Sequence, residues 1–434
     1  MLLIYTEHNT SRLNYIAGVL FSSVLPVQFK VTSVKDNFLI YTGPKINYSN
    51  ARISDKEIWI KPHPLLFENG IQEQQINCFE WNGLKAFFKT GGDIPFDIFS
   101  ASFYLISRYE EYLPHTKDEY GRYGHKNSLA FRENFLHLPL VNLWMKEFVK
   151  IITHKFPSFT FPLSSFAFIP TYDIDIAYAY KAKSFLRNAG SFYKELFMGK
   201  WKQLAERANV YSGWRKDPFD TYEWLDELHE QYHLQPLYFF LVAEKTGIYD
   251  KNSSPHSALM KELIKQHASK YSIGIHPSWQ SGDAEEILEK EISVLRNITG
   301  KDVSISRQHY IRLALPYTYR ALLKNNITDD YTMGYGSING FRASIASSFY
   351  WYDLEKDMQT NLLIHPYCYM EANSYFEQHY TEQQAAEELQ QYHDVVKAVN
   401  GQLITIFHNH FVSEQPQWIA WRNMYADFLK KNFG

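Results

Sequence analysis

Apolar positions change period along this chain. From residue 166 onward, short strand-like runs alternate with longer stretches whose apolar positions recur every three or four residues. The runs are FAFIPTY (166–172), PLYFFLV (236–242), SIGIH (272–276), VSISRQH (303–309), ITDDY (327–331), NLLIHP (361–366) and QLITIFH (402–408). Runs of this length and composition predict strands, and the longer period predicts helices. Asp217-Pro218 marks a helix start, and Asp283…Glu286 and Thr381…Gln384 have capping-box spacing. Ile287, Leu288, Ile292 and Leu295 form one apolar stripe. Strand–helix alternation predicts parallel strands covered by helices. Seven such runs predict an α/β fold built as a closed or nearly closed seven-stranded (β/α) barrel. An open doubly wound sheet is the competing topology, and periodicity does not separate the two.

The first part of the chain is patterned differently. LLIY, VQFKVTS, NFLIYTG and EIWIKP are short β-rich runs separated by polar and Gly residues. Phe96–Tyr112 has helical spacing and ends in Arg108, Glu110 and Glu111. That cluster reads as a solvated helix face with local ion pairs, or alternatively as a site. Residues 114–137 are polar and weakly periodic, a long connection expected to lie against a cleft. Leu138–His154 is an amphipathic helix, and FPSF at 156–159 breaks it. The expected organisation is a small α/β domain with its connecting segment, 1–160, ahead of the strand–helix unit, 161–434.

Composition narrows the function classes. A length of 434 residues allows roughly two to three domains. The net charge of −3 offers no basic excess for a phosphate backbone, so nucleic acid is not an expected partner. Tyr and Trp are abundant, and their flat apolar faces with a polar edge suit sugar rings, although most belong in cores. Cys78 and Cys368 are the only cysteines, so no disulfide framework is encoded. The start, MLLIYTEHN, lacks a basic n-region and a long apolar run. The stretch Tyr15–Val31 is interrupted by Ser22, Ser23 and Pro26 and falls short of a membrane span. A cytoplasmic location without a membrane span is expected. No GxGxxG or GxxxxGK[ST] follows the first run, which removes the usual nucleotide-binding readings.

Candidate chemistry gathers at the ends of the predicted strands, where barrels carry their functional residues. These ends hold Asp173 and Asp175, His276, Arg307 and His309, Asp329 and Asp330, His365, and His408 and His410. The PLYFFLV run ends in nothing comparable beyond Glu244. Residues two apart on a strand face the same way, so both acids of TYDID (171–175) can address one site. Taken alone, Asp173 and Asp175 read as caps of a following helix. Several strand ends with titratable groups argue instead for an active site.

At these residues the chain resembles the polysaccharide deacetylase (NodB-homology) family, carbohydrate esterase family 4. The resemblance covers roughly residues 165–434, with the motifs in the family's order. TYDID looks like the first motif, which implies Asp173 as general base and Asp175 as metal ligand. IGIHPSWQS (273–281) looks like the second, with His276 as a metal histidine. RQHY (307–310) resembles RxPY, whose Arg, here Arg307, orients the catalytic acid. IFHN (406–409) resembles the last motif and implies His408 as general acid. The implied activity is metal-dependent hydrolysis of acetyl groups from an N- or O-acetylated poly- or oligosaccharide, with a divalent cation, zinc by implication.

Two departures bear on the metal. The family's HxxxH is broken, because Gln280 stands four residues after His276, and an amide oxygen is a poor zinc ligand. The RxPY proline is replaced by His309, which is the expected third ligand or a substrate contact, with packing as the alternative. Asp329, Asp330 and Asp353 are the candidates to partner His408, with Trp351 lining the acyl pocket. Tyr310, Asp330, Arg342 and Trp351 are the expected substrate-binding residues, Arg342 from the Gly-rich loop TMGYGSINGFRAS (332–344), which also reads as a plain surface loop. His365 reads as a core residue, and His410 as an outer partner of the site or an exposed side chain. Two other classes remain open: a metal-poor domain that binds a glycan without hydrolysing it, and a hydrolase of another non-peptide C–N bond. The first 160 residues lie outside the resemblance, and their position would let them cover the site and set substrate size.

Overall fold

The computed structural model describes residues 1–162, 164–181 and 201–434. It is a mixed α/β structure. The first strands are β1 (Leu2–Thr6), β2 (Phe29–Thr32), β3 (Lys45–Tyr48) and β4 (Ile58–Ile60), which form a parallel sheet in the order β2-β1-β3-β4. NFLIYTG is not a strand. Lys35–Ile40 is a helix of which only Phe38 is buried, so one aromatic anchors it and the expected period of two has no second face to serve. A small hairpin follows, β5 (Phe79–Trp81) with β6 (Leu84–Ala86). The expected helices are present at Ile98–Ile106 and Leu140–Lys155.

All seven runs from residue 166 form strands. They are β7 (Ala167–Ile174), β8 (Leu237–Phe240), β9 (Ser272–Ile275), β10 (Ile305–Ser306), β11 (Asp329–Asp330), β13 (Met358–Ile364) and β15 (Gln402–His408). Each ladder between them is parallel. Two further strands, β12 (Phe349–Asp353) and β14 (Tyr369–Met370), complete a nine-stranded sheet in the order β12-β13-β11-β10-β9-β8-β7-β15-β14.

This order corrects the closed barrel. Closure would need β13 to pair with β15. Instead β12 folds back antiparallel on β13, and β14 takes the free edge of β15. The β12 edge is covered by the first half of the chain. The Tyr15 hydroxyl donates to the Tyr350 carbonyl at 2.8 Å, and the Tyr15 and Tyr352 rings lie 4.7 Å apart. Arg12, fully buried, pairs with Asp357 at 2.8 Å in the β12–β13 turn. One contiguous apolar core runs from Leu2 through Trp144 to Leu429.

The Arg108 cluster is likewise not solvated. Arg108, Glu110 and Glu111 are buried, Arg108 bonds both acids at 2.8 Å, and Glu111 also holds Arg342 from the 332–344 loop at 2.5 Å. Burial alone would raise the Glu111 carboxyl, but Arg342 and then Arg108 outweigh it and bring it down to about 2.

Among the helix starts, Thr381 and Gln384 form the expected capping box. The other two differ. The helix after Asp217-Pro218 begins only at Tyr222, because the Asp217 carboxylate accepts from the N–H groups of Ala179, Tyr180 and Lys181 instead. Asp283 is bound by Arg312, and Glu285–Thr299 starts without a side-chain cap. Among the described residues, no helix is long and apolar enough to cross a membrane.

Candidate active site

The parallel strands run in sequence order from β7 to β13 in one direction, and β15 then returns to the other side of β7. In open α/β sheets, the crevice outside the carboxyl ends at such a reversal is where ligands bind. Asp173 is in register with Phe239 on one neighbour and His408 on the other, which puts both at this reversal.

Alternation along β7 separates its duties. Tyr172 points to the helix layer, where its hydroxyl meets His229 at 2.8 Å. Thr171 and Asp173 point the other way, and both bind Arg307 Nη1, at 2.7 and 2.8 Å. Arg307 has no exposed surface, lies 4.3 Å from the Phe239 ring and donates through Nε to the Tyr331 carbonyl. Its charge and the Nη1 donor therefore fix Asp173 Oδ1. Asp173 Oδ2 faces His276 Nε2 at 3.7 Å. Neither Asp173 nor Asp175 accepts a hydrogen bond from a backbone N–H, so the capping reading has no support among the described residues.

Three side chains converge just beyond the strands. Asp175 follows β7, His276 follows β9 and His309 follows β10. Their ligand atoms all lie within 4.8 Å of one another. His276 Nε2 is 3.2 Å from Asp175 Oδ1, and His309 Nε2 is 3.4 Å from Asp175 Oδ2. Each imidazole is held from behind. The Arg307 carbonyl takes His276 Nδ1 at 2.6 Å, and Asp250 takes His309 Nδ1 at 2.9 Å. Both Nε2 atoms are thereby aimed at Asp175, the arrangement by which outer partners orient metal-ligating histidines. Asp175 Oδ1 is buried and has no hydrogen-bond partner. An orphaned carboxylate oxygen facing two oriented imidazoles fits a divalent cation. Burial opposes charge on His309, but Asp175 and Asp250 outweigh it and raise the imidazole to about 9. A cation entering here would displace that proton.

Gln280, which stands where a second histidine would complete HxxxH, is turned away from Asp175. Its amide donates to Asp250 Oδ2 at 3.1 Å and to the Lys245 carbonyl. The Trp279 N–H donates to Asp250 Oδ1 at 2.8 Å. Asp250 therefore links the second motif to His309. It lies in the loop after β8, with nine residues (241–249) between it and the strand end at Phe240, in an irregular stretch without periodic signal.

His408 closes the other side. Its Nε2 is 3.6 Å from Asp175 Oδ2, and its Nδ1 and backbone N–H both reach Glu371 Oε1 at 2.6 Å. Burial opposes the charge, but Glu371, then Asp175 and Asp173, raise the imidazole to about 10. Glu371 corrects the expected acid partner. Asp329 pairs with His365, Asp330 binds Ser306 and Thr332, and Asp353 binds Arg320. Glu371 follows the two-residue strand β14, too short to register as a strand end in sequence. His410 also lines the cavity, where burial and then the charge of His408 lower it to about 3.

These groups open into a cavity of about 610 Å³, whose wall includes Asp173, Asp175, His276, His309, Tyr310 and His408. Three expected substrate contacts are not on that wall. Arg342 is buried against Glu111, and Asp330 is buried behind Arg307. Trp351 is packed on Tyr319, 5.3 Å between rings. In each case a polar group that read as available is consumed by an internal partner or by the core. His365 is only partly buried, stacked on Tyr331.

Glu291, on the helix behind the site, accepts the Ser278 N–H at 2.9 Å; its burial raises the carboxyl to about 7 against that bond. The folded state therefore holds a proton that the unfolded chain gives up above pH 4.5, and this contribution fades as pH rises from about 4.5 through about 7. Glu291→Gln should gain up to ~3 kcal/mol relative to wild type across that window. Urea midpoints at pH 5 and pH 8 that shift equally would refute it.

Comparison with known proteins gives a divided result. Residues 2–157 match a family of unknown function, DUF7033. No curated protein matches the chain. Among solved structures, the chain is similar to a putative polysaccharide deacetylase from Mycobacterium smegmatis, at 15% identity and TM-score 0.40, covering 63% of this chain and 87% of that one. It is also similar to a polysaccharide deacetylase from Bacillus cereus, at 12% identity and TM-score 0.31, covering 62% and 88%.

Proposed function

We propose that the protein is a metal-dependent deacetylase acting on an N- or O-acetylated saccharide. The observation that carries this reading is the convergence of Asp175, His276 and His309 within 4.8 Å, flanked by Asp173 on Arg307 and His408 on Glu371. A carboxylate and two imidazoles match the donor preferences of zinc. A divalent ion bound by these three residues would lower the pKa of a coordinated water and polarise an acyl carbonyl.

The chain supplies the rest. Asp173, with Oδ1 fixed by Arg307, accepts the proton of the attacking water. His408, which holds its proton near neutrality, delivers it to the leaving amine or alkoxide. The backbone N–H at Tyr310 is the proposed donor to the developing oxyanion. Tyr310 and Ile311 have φ of 58° and 54°, a conformation costly for non-glycine residues and found where function over-determines the backbone. The readings without a metal rested on the missing histidine, a role that His309 fills in this proposal.

The test combines two measurements on protein purified without chelator. A stoichiometric divalent ion that is lost in His276→Ala, together with acetate release from acetylated saccharides, is expected. Full acetate release after exhaustive metal removal would refute the assignment. Asp250→Ala should weaken metal affinity by about 10- to 100-fold, read by competition with a chelating dye, because His309 then loses its orienting partner. An unchanged affinity would remove His309 from the ligand set.

A further inference from the structure

One wall of the cavity comes from the first half of the chain. Lys117 and Tyr123 form an isolated antiparallel bridge, and the hairpin between them places Glu119, Tyr120 and Arg122 on the cavity surface. The hairpin is anchored rather than merely adjacent. Arg122 is 5% exposed, binds Asp118 through Nε at 2.7 Å and donates through Nη1 to the Tyr310 carbonyl at 2.6 Å. A Cβ on Gly336 would sit 1.9 Å from Arg122 Nη1, so the glycine is what admits the guanidinium.

Tyr120 extends the contact across the loops that follow β8, β9 and β10. Its ring lies 5.4 Å from Tyr310 and 6.1 Å from both Tyr249 and Trp279, and Tyr249 stacks on Trp279 at 4.1 Å. On the opposite side, Arg122 and Glu119 are within electrostatic reach of Glu377, which borders the cavity from the short turn Asn373–Glu377. The hairpin thus spans from the Tyr310 turn to the Glu377 turn. A cavity of about 610 Å³ falls in the range of roughly 300–1,000 Å³ typical of small-ligand sites.

Resting on the deacetylase reading above, we propose that the Lys117–Tyr123 hairpin is the specificity element of the site. It limits the substrate to a short saccharide or a terminal sugar, stacked against the Tyr120, Tyr249 and Tyr310 rings, and excludes internal units of a long chain. Aromatic faces suit this task because they present flat apolar area with a polar edge.

The experiment uses the full chain with β-1,4-linked N-acetylglucosamine oligomers of one to six units. Acetate release and mass-spectrometric mapping of the deacetylated position are read together. Wild type is expected to deacetylate terminal units at least about tenfold faster than internal ones. Tyr120→Ala should narrow that ratio, and so should Gly336→Ala, which displaces the Arg122 guanidinium that anchors the hairpin and lies 4.7 Å over the Tyr120 ring. Equal rates at internal and terminal units in wild type, or an unchanged ratio in both variants, would overturn the assignment. If no oligomer releases acetate, the deacetylase reading fails, and calorimetric binding of the same oligomers decides the wall separately. Affinity that stops rising after about three units and weakens in Tyr120→Ala supports it. Affinity that climbs through the hexamer, or no binding at all, overturns it.

Discussion

Asp173→Asn is expected to lower kcat by at least about 10²-fold, with metal content unchanged. The amide keeps the shape of the carboxylate and cannot accept the water's proton. Asp173 does not belong to the three residues whose ligand atoms meet, so the cation site should stay loaded. The substitution also removes the charge facing Arg307, a guanidinium without exposed surface. Breaking a buried pair costs about 3–5 kcal/mol, so the variant must be shown folded by its denaturant midpoint before its rate is read. Asp175→Asn provides the contrast, since it should lose the metal as well as the activity. Wild-type turnover in folded Asp173→Asn would sink the base assignment.

The second large effect concerns stability. Glu111→Gln should destabilise the whole protein by about 3–5 kcal/mol, because it leaves Arg342 buried against a neutral partner and Arg108 with Glu110 as its remaining carboxylate. Glu111 bonds Arg108 at 2.8 Å and Arg342 at 2.5 Å, all three side chains being no more than 2% exposed. The pairs tie residues 108–111 to the 332–344 loop, so their loss loosens the seam between the two halves of the chain rather than one local turn. Denaturant unfolding followed by tryptophan fluorescence measures this. A midpoint unchanged from wild type would show that the network contributes nothing net. Replacing Glu111, Arg342, Arg108 and Glu110 together by apolar residues of similar volume should recover much of the loss, since the desolvation cost disappears with all four charges.

Legibility differed by the range of the interaction. The longest of the seven strands after residue 166, such as β7, β8 and β15, were readable because each is an apolar run bounded by polar residues, a local property. The proposed metal donors Asp175, His276 and His309 were readable for a related reason. Each lies within three residues of the end of such a strand, so strand positions convert directly into site positions. Asp250 and Glu371 were not readable. One sits far along an irregular loop and the other follows a strand of two residues, and only their hydrogen bonds to His309 and His408 reveal them. Arg342, Asp330 and Trp351 erred the opposite way. Their chemistry suited a binding wall, but internal partners had already claimed it.

Sequence alone determined the succession of the seven strands after residue 166, the two carboxylates spaced two apart at the end of β7, and the strand ends that carry titratable groups. These follow from periodicities of two and 3.6 and need no knowledge of what packs where. Tertiary structure decided the rest. Whether the sheet closes depends on which edge β13 and β15 each find, and β12 and β14 occupy both edges. Whether Gln280 leaves the candidate metal cluster short of a donor depends on what reaches Asp175 from another loop, and His309, braced by Asp250, comes within 3.4 Å of it. Whether residues 117–123 line the cavity depends on a contact 188 residues apart along the chain, from Arg122 to the Tyr310 carbonyl. Contacts of that range leave no period in the sequence, because each partner satisfies only its own local pattern.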